Sequence, residues 1–233
     1  MNIVIYEDST DRFDPLIDFY PQFFLRLGMM TIRENTALYM KKARFSYIMR
    51  THFKTESFSI TKPSLYLSSR VILTKSITLP KKDTRFSIAS QTLGFVKHKP
   101  PFPKNMKEIR QVMKSIKPTR EISGIALEEI WDLIRYNQQI LTRQFNILNT
   151  KCRVQKHINI IGKKNDIYID PRACIDRFVV IDASDGPVYI DRDVNIRPFS
   201  MIIGPAYIGP DTIIERAKVN KSSIGPCCRI GGE

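Results

Sequence analysis

Residues 190–214 read IDRDVNIRPFSMIIGPAYIGPDTII, and isoleucine recurs in them at 190, 196, 202, 208 and 214. A shorter run, Ile169, Ile175 and Ile181, keeps the same spacing of six. With isoleucine at about one residue in five here, four successive correct placements after Ile190 arise by chance about once in a thousand starts. A period of six fits neither a 3.6-residue helix nor a hairpin meander. It fits the hexapeptide repeat, in which each hexad gives a short strand and a turn and three hexads close one triangular coil of a parallel β-helix. The isoleucines then point inward and stack on counterparts eighteen residues away.

The residues between the isoleucines agree. Asp170-Pro171, Gly204-Pro205, Gly209-Pro210 and Gly225-Pro226 sit at or beside hexad boundaries. Gly and Asp tolerate the left-handed backbone of a sharp corner, and proline fixes φ for the residue after it. Asp185-Gly186-Pro187 adds three residues between the two runs, and Lys221-Ser222-Ser223 lies in a similar slip before Ile224, so both are expected as insertions bulging at a corner. The hexads stop at Arg229–Glu233, partway through a repeat. The expectation is a β-helix incomplete at the C-terminus, a fragment of a longer parent, because an uncapped coil exposes strand edges.

Working outward, the chain has 233 residues, room for two modest domains. The expected division is 1–150 and 151–233. No window approaches 18 consecutive apolar residues, and the N-terminus has no signal-peptide pattern, so a cytoplasmic protein without a membrane span is expected. Cys152, Cys174, Cys227 and Cys228 read as free thiols, and neither they nor His52, His98 and His157 have zinc-site spacing. The 37 basic and 23 acidic residues are uneven: 1–150 carry a net +11 and 151–233 a net +3. Eight basic residues between Lys97 and Arg120 meet only Glu108. Such a field favours an anionic partner. Nucleic acid rests on this charge alone, without a recognition motif, and is not the expected partner.

Residues 1–150 read as α/β. Asn2 to Tyr6 is a short apolar strand that opens into Glu7, Asp8, Ser9, Thr10 and Asp11. Residues 29–42 and 104–117 have helical spacing, the second with Met106, Ile109, Val112, Met113 and Ile116 on an apolar face expected to pack in the core. Residues 126–148 read as one helix, with Leu127, Ile130, Trp131, Ile134, Leu141, Phe145 and Leu148 on its stripe. Glu128 and Glu129 suit its first turn, and Trp131 is expected in the core.

Arg12, then Pro15-Leu16, Pro21 six residues after Pro15 and Gly28 seven after that, resembles the sugar-1-phosphate nucleotidyltransferases. Their pattern is a glycine-rich loop with Thr-Arg, then Pro-Leu-Thr, Pro-Lys-Pro and a glycine. A reduced subfamily, similar to the bifunctional N-acetylglucosamine-1-phosphate uridyltransferase/glucosamine-1-phosphate acetyltransferase, matches at Asp8, Phe13, Leu25-Arg26, Gly28 and Thr31-Ile32-Arg33-Glu34. It matches again at Trp131-Asp132-Leu133-Ile134, Asn137, Ser184–Ile190 and the hexads. Residues 43–120 match weakly. The resemblance implies a nucleotide-diphospho-sugar-transferase-like N-terminal domain followed by a left-handed β-helix of acyltransferase type, assembled as a homotrimer.

It also implies a reaction: a sugar 1-phosphate displaces pyrophosphate from the α-phosphate of a nucleoside triphosphate, with Mg²⁺ and basic side chains countering the charge. Arg12 falls at the loop arginine and is the candidate catalytic residue. Arg12, Arg26 and Arg33 are the candidate nucleotide or phosphate contacts, and Asp8 is the candidate metal ligand. The departures are specific. Glu7, Asp8, Ser9, Thr10 and Asp11 stand where the loop glycines would be, and Gln22 replaces the lysine after the second proline. Acyl transfer usually needs a histidine base on a coil, and residues 158–233 contain none. The expected activity is sugar nucleotidyl transfer without acyl transfer. The alternative is a non-catalytic subunit that binds a sugar nucleotide or serves trimeric assembly.

Overall fold

Isoleucine side chains carry the C-terminal architecture. The computed structural model describes residues 2–50, 53, 60, 62–148 and 158–231, which form two compact units. The first comprises Met1–Leu25 and Met30–Asp132, the second Arg26–Met29 and Leu133–Glu233.

In the second unit, three four-stranded parallel sheets stack as the faces of a β-helix. One face runs through Asn159–Ile161, Val180–Asp182, Met201–Ile203 and Lys218–Asn220. Along the other two, Ile169, Ile190, Ile208 and Ile224 form one column and Ile175, Ile196, Ile214 and Ile230 another. Ile190, Ile196, Ile202, Ile208 and Ile214 are wholly buried. Each backbone pairs with the coils beside it, so the repeat satisfies its polar groups as it buries its apolar ones.

The coils are not of equal length. Ile169 pairs with Ile190, 21 residues on, and Ile190 with Ile208, 18 on, but Ile208 pairs with Ile224 after only 16. Asp185-Gly186-Pro187 accounts for the long first coil. The insertion expected at Lys221–Ser223 is instead a shortening: that corner is one residue tighter than the Gly204-Pro205 corner in the preceding coil. The stacked corners are close enough to dictate residue type. A Cβ on Gly204 would lie 2.1 Å from the Gly186 carbonyl oxygen. Asp193 and Asp211 take positive φ as the corner logic asks, yet so do Phe178 and Phe199. Their exposed rings stack with centroids 5.6 Å apart.

The helix expected over 126–148 is broken. Gly124–Ala126 is a strand, α3 spans Asp132–Arg135 and α4 spans Asn137–Leu148. Glu128 and Glu129 precede α3 rather than opening a long helix, and their N–H groups donate to Asp132 Oδ2 at 2.8 and 3.1 Å. Trp131, expected in the core, is 68% exposed, and Ile134 is 74% exposed. From α4, Phe145 meets Tyr189 edge-on, in the middle of an outward ladder of Tyr168, Tyr189 and Tyr207. Burial, with the nearby Asp191 charge, raises the Tyr189 pKa.

The first unit is built on a six-stranded mixed sheet. Its strands are β1 (Asn2–Tyr6), β2 (Arg44–Ile48), β3 (Ser64–Ser68), β4 (Thr84–Ile88), β5 (Gln91–Lys97) and β6 (Thr119–Glu121). Their order is β2-β1-β3-β5-β4-β6. β2, β1 and β3 are parallel, so their carboxyl ends share one edge. Side chains alternate across the sheet. Ile3, Ile5, Leu65 and Leu67 pack on one face, while Val4, Tyr6, Tyr66 and Phe95 pack on the other with Ile109 of α2 (Met106–Ser115) and Ile116 just after it. α2 therefore uses its apolar stripe for core packing, as expected, and leaves Lys107, Arg110 and Lys114 exposed. Helix α1 (Ile32–Tyr39) begins with a capping box. Glu34 N–H donates to Thr31 Oγ1 and Thr31 N–H to the Glu34 carboxylate, which gives the Thr31–Glu34 motif its physical meaning.

Candidate functional site at the carboxyl edge of the parallel strands

In open α/β sheets, ligands bind beyond the carboxyl ends of the strands. Here those ends carry Glu7 and Asp8 after β1, Arg50 after β2, and Ser68, Ser69 and Arg70 at and after β3. Two acids leave one strand, and an arginine leaves each neighbour. Charge balance follows from this placement.

Glu7 is almost wholly buried. It accepts from the Gln22 N–H at 2.7 Å, the Arg50 N–H at 2.8 Å and Arg50 Nε at 3.3 Å. Arg50 in turn donates to the carbonyls of Ile17 and Tyr20, tying the segment after β1 to the strand end. Asp8 takes the second arginine in a fork: Arg70 Nε to Oδ1 at 3.1 Å and Nη2 to Oδ2 at 3.2 Å. Such bidentate contacts are the strongest ion-pair geometry. The Ser68 hydroxyl also donates to Asp8, and Arg70 Nη1 donates to the Leu127 carbonyl at 3.1 Å. Beneath them lies the Tyr6 hydroxyl, buried and without a hydrogen-bond partner. Burial, aided by the Asp8 charge and opposed by Arg70, raises the Tyr6 pKa well above its usual value.

The sequence-predicted residues fall in four different settings. Asp8 belongs to this network. Arg12 lies in a short 3-10 turn, Thr10–Phe13, with an exposed guanidinium 3.5 Å from Glu129. Arg33, on α1, donates to the Tyr47 hydroxyl and lies over Phe45, so its partners are on β2 and not on the segment after β1. Arg26 belongs to the second unit, where it donates to the Met29 carbonyl and lies over Tyr207. Gln22, at the position of the family lysine, is completely buried. Its Oε1 accepts from Ser69, while its Nε2 has no partner. Of the histidines and cysteines, His52, His157 and Cys152 lie outside the described residues.

Sequence reasoning missed Glu7 as an anchor and Arg50 and Arg70 altogether. A signal existed for Arg70: it stands two residues after the stretch Ser64–Ser68, where a strand end delivers a side chain to the edge. The residues present do not fit the Mg²⁺ ion that the resemblance implies. Both Asp8 oxygens are held by Arg70, and no group of three or more Asp, Glu, His or Cys side chains among the described residues is arranged to hold a metal. The carboxylates at the strand ends are neutralised by arginines.

No helix among the described residues is long and apolar enough to cross a membrane. No curated protein matches the chain. The sequence profile described as sugar nucleotidyl transferase matches residues 3–153, which covers all of the sheet but its first residue, together with its carboxyl edge. The chain therefore belongs to the sugar nucleotidyl transferase family.

Proposed function

We propose that the first unit binds a nucleoside triphosphate and a sugar 1-phosphate at the carboxyl edge of β1–β3 and transfers the nucleotidyl group between them. The observation that carries this reading is the Glu7–Arg50 and Asp8–Arg70 network. It removes the repulsion that two bare carboxylates would exert on a triphosphate, at the edge where such a ligand is expected. In the reaction an oxygen of the sugar phosphate attacks the α-phosphorus. The bond to the β-phosphate bridging oxygen breaks, and pyrophosphate leaves with that electron pair. Among the predicted arginines of this unit, Arg12 is the one whose guanidinium is exposed and held only by a surface pair, which typically contributes about 0–1 kcal/mol. It can exchange Glu129 for a phosphate at little cost. Family members generally work with a divalent cation such as Mg²⁺; among the described residues no cluster of Asp, Glu, His or Cys side chains is arranged to hold it.

The same reading places the chain in the reduced subfamily with a left-handed β-helix of acyltransferase type, trimeric through its flat faces and resident in a reducing cytoplasm that keeps its thiols free. A second reading is favoured by Gln22. Its burial against Ser69 places a neutral side chain, closed to ligand, where the family's lysine belongs. That arrangement suits a subunit that binds a sugar nucleotide without turning it over.

The test is pyrophosphate release from purified protein with Mg²⁺, a panel of nucleoside triphosphates and hexose or hexosamine 1-phosphates. Transfer predicts turnover that Arg12→Ala lowers by about 10²–10³-fold, the usual effect of removing one contact to developing charge. Saturable binding weakened by Arg12→Ala, with no pyrophosphate above background, selects the second reading. Neither binding nor turnover sinks both.

A further inference from the structure

A second polar depression lies wholly within the second unit and is independent of the strand-edge site. It is a cleft of about 330 Å³ whose lining includes Arg26, Leu133, Ile134, Asn137, Lys221 and Ser223. It opens at the β-helix corner that is one residue tighter than its predecessor. The lining contains two cations and no carboxylate.

The cations differ in how they are held. The Arg26 guanidinium lies 5.4 Å from the centre of the Tyr207 ring and donates through Nη1 to the Met29 carbonyl. A planar group held by a ring contact and a hydrogen bond is already oriented for a second bond. Lys221 reaches Asp185 at 2.9 Å, but both side chains are well exposed, so the pair yields to a competing anion at small cost. Asn137 Oδ1 accepts from the Gly28 N–H at 3.0 Å and the Ser223 hydroxyl at 2.9 Å. Two donors fix that amide's orientation and leave its NH₂ as a donor. Guanidinium, ammonium and amide groups thus supply several donors with positive charge. Leu133 and the exposed Ile134 supply an apolar wall.

We infer that this cleft is a binding site for a small phosphomonoester, its phosphate held by Arg26, Lys221 and the Asn137 amide and its carbon body laid against Leu133 and Ile134. A volume of about 330 Å³ stands at the lower end of ligand pockets and suits a body of hexose size. Three phosphate oxygens match the donor set better than a carboxylate's two. The motif residues Arg26 and Asn137, far apart in sequence and left over by the strand-edge site, meet here, with Gly28 bonded to Asn137.

The test uses the full chain with labelled isoleucine and leucine methyl groups, titrated with glucose 6-phosphate, inorganic phosphate and glucose. Glucose 6-phosphate is expected to shift the Leu133 and Ile134 methyls saturably. Lys221→Gln and Arg26→Lys, the second keeping charge but losing the fork, should each weaken that binding by about tenfold or more. Arg12→Ala should leave it unchanged, which separates this site from the strand edge. Lys221→Gln keeps the inference testable if Arg26→Lys disturbs folding, because it removes a donor whose side chain pairs at the surface with Asp185. No saturable shift at those methyls, or shifts indifferent to Lys221→Gln, would overturn the assignment. Equal binding of inorganic phosphate would remove the organic body from it, and equal binding of glucose would remove the charge.

Discussion

The β-helix and the mixed-sheet unit solve the same problem, burying apolar surface while satisfying backbone, by opposite means. In the β-helix one contact is repeated: an isoleucine on an isoleucine in the next coil, in three columns. In the first unit the decisive contacts occur once each and join distant positions, such as Asp8 with Arg70 and Glu7 with Arg50. Repetition spreads stability over equivalent places and leaves none of them chemically special. Unrepeated contacts concentrate charge at one edge, and it is there that nucleotidyl transfer is proposed. Even within the β-helix, the proposed ligand cleft opens where the repeat is broken, at the shortened corner.

The sharpest way to break this contrast is Arg70→Met. It strands Asp8 against a largely buried edge, and losing one partner of such a pair typically costs about 3–5 kcal/mol. The double variant Asp8→Asn/Arg70→Met should recover most of that loss, since the uncompensated charge has gone. Urea unfolding of both forms measures it. A double variant no better than Arg70→Met would show that Arg70 acts through its bond to the Leu127 carbonyl instead.

Within the β-helix the prediction is graded. Ile196 is wholly buried between Ile175 and Ile214, so Ile196→Ala should cost about 2–5 kcal/mol. Ile230 is only partly buried against the same core, and Ile230→Ala should cost clearly less. Equal losses would mean that burial at one coil does not set its share of stability.

Gly28 sharpens the contrast from the other side, as a single unrepeated contact inside the second unit. Its φ of +69° suits glycine, and an added Cβ would lie 2.5 Å from Gln144 Oε1 and 2.9 Å from the Leu141 backbone nitrogen. Gly28→Ala should lower stability by about 1–3 kcal/mol through strain and displacement of α4. A neutral thermal melt would show that α4 yields freely.

Alkali should act on both units alike. Burial raises the pKa of Tyr6 and Tyr66 in the first and of Tyr189 in the second. Their neutral forms are favoured in the folded state. The associated stability is complete below the unfolded value of about 10 and falls as pH rises above it, because the unfolded chain ionises first. Melting temperature should therefore decline from about pH 10 upward. Tyr6→Phe should reduce the slope, and an unchanged slope would remove Tyr6 from that account.

The sequence made the two units unequally legible, for a physical reason. A period of six is fixed by geometry internal to each coil, so isoleucine spacing alone located the β-helix and the faces its isoleucines occupy. Coil length is set by corners, and there the reading failed at Lys221–Ser223, where a departure from period shows its place but not its sign. The long helix over 126–148 failed for a related reason. Apolar spacing continued through Leu127 and Ile130, while the Asp132 carboxylate, bonded to two preceding N–H groups, imposed a turn that spacing does not encode. At the strand edge, the acids after β1 were visible, and their partners were not, because Arg50 and Arg70 arrive from strands paired with β1 only in three dimensions. Arg12 and Gln22 were singled out only through resemblance, the first by matching the family pattern and the second by departing from it.

The smallest expected effect bears on Arg12 itself. In the resting protein its guanidinium lies 3.5 Å from Glu129, and both side chains are about half exposed. If Arg12 must leave Glu129 to meet a phosphate, then Glu129→Gln removes a competitor and should tighten nucleotide binding. An exposed pair is worth about 0–1 kcal/mol, so the gain should be at most about fivefold and should shrink at high salt, where the pair is already screened. Isothermal titration with a nucleoside triphosphate at low and high ionic strength reads both features. Weaker binding in Glu129→Gln would instead mean that the pair orients Arg12 for the ligand, making Glu129 a positioning residue. That outcome would show as a loss persisting at high salt, because geometry, unlike exposed charge, is not screened.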